Sequence, residues 1–262
     1  MRSAEIDGLF NAALEGIAQA KKIILAYYHG TFEVAYKSDN SPVTLADISA
    51  DKIIREALKN TNIPIISEEF EVPSYQVRKE FSRYWLVDPL DGTKEFIAKS
   101  DDFTINIALI EDEKVVAGFI CVPVTNELYF GGKQYGSLKY QGIPANFEIL
   151  MKEGLKLPSE KNEIPVLVAS RSGMSQQLED LAKHHLNVDE VNVKRMGSSL
   201  KLCWLAEGKA DIYPRVGPCM EWDIAAGQAI VEGAGKQVLD YNTKQALAYN
   251  KESLLSNWFI AK

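Results

Sequence analysis

The sequence predicts an α/β protein of two lobes, a mixed α+β lobe over residues 1–150 and an α/β lobe over residues 151–262. In the first lobe, long helical periodicities give way to consecutive strand-like runs, the pattern of helices laid on a largely antiparallel sheet. In the second, strand and helix patterns alternate, as they do in α/β units. A chain of 262 residues with 46% hydrophobic content has enough apolar surface for a large core.

Ile6, Phe10, Ala13, Leu14, Ile17, Ala20, Ile24 and Tyr27 recur at helical spacing and predict a long amphipathic first helix. After a loop at Ser38–Pro42, residues 47–58 read as a second helix, followed by strands near Ile65 and Leu86 that both run into acidic residues. Residues 104–110, 114–122 and 127–130 form a meander, with Glu111-Asp-Glu113 as a hairpin turn. The Lys-, Glu- and Pro-rich stretch 142–165 marks the boundary between lobes. Beyond it strands are expected at 166–170, 190–196, 210–213 and 237–239, and helices at 176–185, 198–207 and 223–232.

The net charge of −7 leaves no basic stripe for a nucleic-acid polymer, so an anionic substrate needs local cations or metal. No apolar run reaches the length of a membrane span, and Met1–Asp7 lacks a signal pattern. The expected location is the cytoplasm, with a peripheral place at the inner membrane left open. Cys121, Cys203 and Cys219 are odd in number and lack metal-ligand spacing, so they are expected to be reduced and packed. His29, His184 and His185 form no metal motif, and Gly131-Gly132 and Gly233-x-Gly235-Lys236 fit no complete phosphate-loop pattern.

The richest stretch is Trp85-Leu-Val-Asp-Pro-Leu-Asp-Gly-Thr93. A buried strand ends there, Pro89 and Gly92 force a turn, and Thr93–Phe96 can open a helix. Asp88 and Asp91 therefore sit at a strand's carboxyl end, where open sheets bind ligands. Carboxylate oxygens suit Mg2+ or Mn2+, and N–H groups near Gly92 and Thr93 suit a phosphate. Taken alone, such a run is also an ordinary solvated turn. Two further segments bear on the choice: Ser67-Glu68-Glu69 after a strand, and Trp222-Asp223-Ile-Ala-Ala-Gly227.

Together, in this order, the three segments resemble the lithium-sensitive, Mg2+-dependent phosphatase superfamily of inositol monophosphatase and fructose-1,6-bisphosphatase. Thr93-Lys-Glu-Phe96, Gly197-Ser-Ser-Leu-Lys-Leu-Cys203 and the stretch from Ala206 to Arg215 are similar to its CysQ-type 3'(2'),5'-bisphosphate nucleotidase branch. The resemblance implies a layered αβαβα sandwich with the active site between the lobes. It implies metal ligation of two or three Mg2+ by Glu68, Asp88, the Leu90 carbonyl, Asp91 and Asp223. Asp47 and Thr93 become the pair that activates water, and Glu69 a support behind the ligands. The substrate is expected to meet Glu68, Leu90, Asp91, Gly92, Thr93 and Asp223.

Ser198 and Lys201, three apart, are expected to share a helix face near its N-terminus, and Arg215 to end the following strand. This trio reads equally as surface charge. The nucleotidase resemblance assigns it to a nucleotide's phosphate, although Gly173 stands after Ser170-Arg-Ser172 where relatives often have His. The implied reaction is hydrolysis of the 3'-phosphate of adenosine 3',5'-bisphosphate to AMP, with its phosphosulfate analogue as a second substrate. An inositol or sugar monophosphatase and a non-catalytic metal or nucleotide sensor are the alternatives. The sequence leaves oligomeric state open.

Overall fold

The computed structural model describes residues 4–30, 34–36, 42–171 and 176–262. Ser38–Ser41 of the expected loop, and Ser172 and Gly173, lie outside them. The chain begins α1 (Ala4–His29), β1 (Val34–Tyr36), β2 (Pro42–Thr44), α2 (Leu45–Lys59), β3 (Ile65–Ser67), α3 (Tyr75–Arg78), β4 (Arg83–Asp91) and α4 (Thr93–Ile97). It continues β5 (Thr104–Glu111), β6 (Lys114–Val122), β7 (Glu127–Gly132), β8 (Gly136–Gln141), α5 (Phe147–Glu153) and β9 (Leu155–Lys156). The remainder is β10 (Val166–Ala169), α6 (Gln176–Leu186), β11 (Asn192–Arg195), α7 (Leu200–Glu207), β12 (Tyr213–Arg215), α8 (Glu221–Gly233), β13 (Val238–Asp240) and β14 (Phe259–Ala261).

Strands β3 to β9 form one sheet in sequence order, with β3 parallel to β4 and every other pair antiparallel. The expected turn between β5 and β6 is a two-residue connection with Asp112 at φ 47° and Glu113 at φ 61°. That left-handed pair matches the twist of the flanking strands. The segment between residues 142 and 165 holds α5 and β9, and β9 pairs with β8, so the first sheet extends to residue 156.

Alternation along β4 sorts the core. Trp85 and Val87 join Phe10, Ile17 and Ile54 of α1 and α2 on one face, while Tyr84 and Leu86 join Leu202, Ala225 and Ile230 of α7 and α8 on the other. Tyr213, Val238 and Phe259 of the second sheet, ordered β12-β14-β13, cover the far side of α7 and α8. Leu167 and Ile212 bridge β10 to it, and with Ile260 they pack Ala182 of α6. The layers therefore run α, β, α, β, α.

Helix α8 lies directly on the backbone of the large sheet because two positions there are glycine. A Cβ at Gly118 would stand 2.3 Å from the Ala226 carbonyl oxygen, and one at Gly131 2.5 Å from the Ile230 Cα. This close seating fixes where the first turn of α8 points. Among the described residues no helix is long and apolar enough to cross a membrane.

The helix expected from residue 198 begins instead at Leu200. Ser198 adopts φ 45°, outside helical geometry, so it does not share a helix face with Lys201. A residue in the left-handed region breaks the periodicity that the spacing argument assumed.

Candidate active site

The acids converge because two parallel strands and a helix start meet. Strands β3 and β4 run side by side, so Glu68, just past one, arrives beside Asp88 of the other, and the Glu68 N–H donates to the Val87 carbonyl. Asp88 pairs with Asn106 and Asp91 with Thr104, so three steps along β4 match two along β5. In a regular strand positions three apart face opposite ways; the irregularity at Pro89 and Leu90 turns both carboxylates toward one cavity. Gly92, at φ 95°, then redirects the chain into α4, where a Cβ would press on the Asp102 carbonyl at 3.1 Å.

Asp223 enters from the first turn of α8, its Oδ2 accepting from the Met220 N–H at 2.9 Å. One carboxylate oxygen from each of Glu68, Asp88 and Asp223 can be chosen with all three within 4.8 Å of one another. Burial raises the Asp88 carboxyl well above the usual carboxylate range, and the charges of Glu68, Asp91 and Asp223 push it the same way. Burial likewise raises Asp223, with Asp91 and Glu68 adding to the effect. Hard oxygen donors that repel one another are the donor set a divalent cation fits, since the cation reverses the local charge.

Asp47 sits in the first turn of α2, where its Oδ2 accepts from the Thr44 N–H at 2.8 Å and the Thr44 hydroxyl at 2.6 Å. Its other oxygen accepts from the Thr93 hydroxyl at 3.0 Å. Burial raises the Asp47 carboxyl, and the hydrogen bonds from Thr44 and Thr93 work against that rise. The structure thus joins Asp47 to Thr93, which sequence places 46 positions apart. Leu90 and Thr93 line the cavity beside the acids, while Glu69 is half-buried and outside the three-carboxylate cluster.

The cavity has two compartments. One, of about 470 Å3, holds Glu68, Asp88, Leu90 and Thr93. The adjoining one, of about 200 Å3, holds Arg171, Ser198, Ser199 and Lys201. Asp91, Glu95, Arg215, Cys219 and Asp223 wall both. Lys201 is buried, with its ammonium donating to the Ser198 carbonyl at 2.5 Å and the Met196 carbonyl at 3.3 Å. Burial pulls it down to about 8, while the charge of Asp91 works the other way. Arg215 donates to Ser170 Oγ at 2.9 Å and the Pro218 carbonyl at 2.6 Å, and its buried Nε has no partner among the described residues.

Sequence reasoning missed several residues that organise this cavity. Asp102 accepts from the Arg171 guanidinium at 2.5 Å and the Gly197 N–H at 3.0 Å, tying the loop before β5 to the segments after β10 and β11. Ser199, adjacent to the expected Ser198, contacts both Asp91 and Asp223, and Asn106 of β5 reaches it. No periodicity in one sequence separates two neighbouring serines before a helix start. The three cysteines are free and buried, as expected.

The family description "Inositol monophosphatase family" matches residues 5–261. The chain is 38% identical over 240 residues to the 3'(2'),5'-bisphosphate nucleotidase CysQ of Escherichia coli (strain K12), covering 90% of this chain and 92% of that one. It is 30% identical over 257 residues to the protein of the same name from Haemophilus influenzae, covering 96% and 91%. Its fold superimposes on the crystal structure of CysQ from Bacteroides thetaiotaomicron, a bacterial member of the inositol monophosphatase family, with a TM-score of 0.86, 39% identity and coverage of 96% and 95%. Motif order, five-layer fold and these likenesses agree, and the chain belongs to the inositol monophosphatase family.

Proposed function

We propose that this chain is a Mg2+-dependent phosphomonoester hydrolase that removes the 3'-phosphate of adenosine 3',5'-bisphosphate, giving AMP and phosphate. The observation that carries the reading is the pair of adjoining compartments, which share Asp91, Asp223 and Arg215, the first adding Glu68 and Asp88 and the second adding Arg171 and Lys201. A cavity whose metal-fitting acids adjoin a chamber that adds two cationic side chains suits a substrate that presents one phosphate for cleavage and a second anionic group for recognition. The CysQ names of the relatives support the same substrate class.

Glu68, Asp88, Asp91, Asp223 and the Leu90 carbonyl would hold two or three Mg2+, with residues 1–150 supplying all but Asp223. When bound, the cations neutralise acids and phosphate together and supply Lewis acidity at the scissile group. Thr93 donates its hydroxyl proton to Asp47, which leaves the Thr93 oxygen as an acceptor that orients the attacking water. Asp47, raised by burial, is suited to take that water's proton. The water oxygen joins phosphorus as the bond to the 3'-oxygen breaks, the departing oxygen takes a proton from solvent to become the 3'-hydroxyl, and Asp47 returns the attacking water's proton to solvent. Ser198, Lys201 and Arg215 are assigned to the 5'-phosphate, and Glu69 to support of Glu68. The reading places the enzyme in the cytoplasm, where it clears a by-product of sulfate assimilation.

The test is phosphate release from adenosine 3',5'-bisphosphate, its phosphosulfate analogue and inositol 1-phosphate under Mg2+. The bisphosphate is expected to have the highest kcat/KM. Preference for inositol 1-phosphate would make the chain an inositol or sugar monophosphatase, and no release from any of them would leave only a sensor role.

A further inference from the structure

We propose that Ser199 is a positioning residue that fixes Asp91 as a one-oxygen metal ligand and locks the second lobe onto the acid cluster. The proposal rests on the metal reading above, and its evidence is the crowding of donors around one carboxylate oxygen. Asp91 Oδ2 accepts from the Ser199 N–H at 2.6 Å and the Ser199 hydroxyl at 2.7 Å. The Asn106 amide reaches the same oxygen at 3.3 Å and the Thr104 hydroxyl at 3.5 Å. The other oxygen, Oδ1, has no donor among the described residues. A carboxylate held this way cannot rotate to chelate a cation through both oxygens.

Ser199 is equally tied on its other side. Its hydroxyl stands 2.5 Å from the Asp223 carbonyl oxygen and accepts from the Asn106 amide at 2.9 Å. The single hydroxyl proton is shared between Asp91 of β4 and Asp223 of α8, which belong to different lobes. Ser199 is 3% exposed and Asn106 1%, so water does not compete for these bonds. The Asn106 side-chain oxygen is buried without a partner among the described residues, so the amide's placement is set by what its NH2 group holds. Partners that orient metal ligands from behind change metal affinity by about 10–100-fold when removed.

The experiment measures Mg2+ binding to the metal-stripped full chain by calorimetry and by thermal shift, with no substrate present. Ser199→Ala is expected to displace the Mg2+ titration by about 10–100-fold to higher concentration. The melting temperature without metal should fall modestly, as loss of one buried hydroxyl's bonds requires, while the variant stays folded at the assay temperature. Activity of the variant should recover as Mg2+ is raised, a rescue that a merely structural defect would not allow. Asn106→Leu, nearly isosteric, removes the supporting donor from the other direction and should displace the titration the same way by a smaller factor. If Ser199→Ala titrates as the wild type does, the proposal is overturned. If the wild type itself shows no Mg2+ response, the metal reading fails first, and the two failures are told apart.

Discussion

Chelating the metal should destabilise this protein more at neutral pH than in acid, and adding Mg2+ should stabilise it in the same unequal way. Asp88 and Asp223 carry carboxyls raised well above their ordinary range, by burial first and by neighbouring acids second. A group whose pKa is raised in the folded state favours folding below its unfolded value, and that contribution is lost as pH rises through the folded value. The metal-free chain therefore loses stability from this cluster as pH rises above the ordinary carboxylate range, and the same loss of protons makes the acids able to bind a cation. At about 100-fold excess of Mg2+ over its Kd the linkage is worth about 2.7 kcal/mol. For a domain of roughly this size that corresponds to a rise in Tm of about 5–10 °C. The assay is differential scanning fluorimetry of the stripped protein at about pH 5 and about pH 8, with and without Mg2+. Other carboxylates affect both arms at a given pH and cancel in the Mg2+ difference. Equal Tm shifts at the two pH values, or a larger one in acid, would falsify the account of the cluster.

Asp88→Asn removes one buried like charge yet keeps an oxygen for the Leu90 N–H, so it should raise the metal-free Tm at neutral pH while abolishing phosphate release. Thr93→Ala breaks the bond to Asp47 and should lower kcat with little change in the Mg2+ titration, measured by calorimetry beside a kinetic assay. Arg215→Ala should lower kcat/KM for the bisphosphate by roughly 10- to 150-fold, with much less effect on adenosine 3'-monophosphate. Because Lys201 is pulled down to about 8, KM for the bisphosphate should rise as pH passes that value, and Lys201→Met should give a high KM with no such inflection.

The parts of this fold that were legible are those where chemistry is local. The first helix buries Phe10, Ala13, Leu14, Ile17, Ala20 and Ile24, the stripe its spacing predicts. Glu68, Asp88 and Asp223 were readable as strand-end and helix-start acids, and the fold brings them together. What escaped depends on distant pairing. β14, last in the chain, inserts between β12 and β13, and no pattern within Phe259–Ala261 announces that neighbour. β9 has two residues, too few to show a period. The ladder irregularity between Asp88 and Asp91 is hinted at by Pro89, which lacks an N–H, but which way it turns each side chain depends on the facing strand. Ser198 stands three from Lys201, the spacing of one helix face, but the left-handed backbone at Ser198 takes it off that face.

Cap and ligand, alternatives in the sequence for each acid, are compatible in the structure because a carboxylate has two oxygens. Asp223 gives Oδ2 to the Met220 N–H at the start of α8, Asp88 gives Oδ1 to the Leu90 N–H, and Asp91 gives Oδ2 to Ser199. In each case one oxygen belongs to the fold and its twin has no donor among the described residues. Capping an N-terminal turn also places a negative charge where the helix dipole favours it, which offsets part of the repulsion of gathering acids in one cavity. Asp47 follows the same division with a different second partner, one oxygen for Thr44 and the other for Thr93. An amide at these positions therefore keeps the acceptor the fold requires and loses the charge the cation requires, which is why charge-removing variants here should separate folding from turnover.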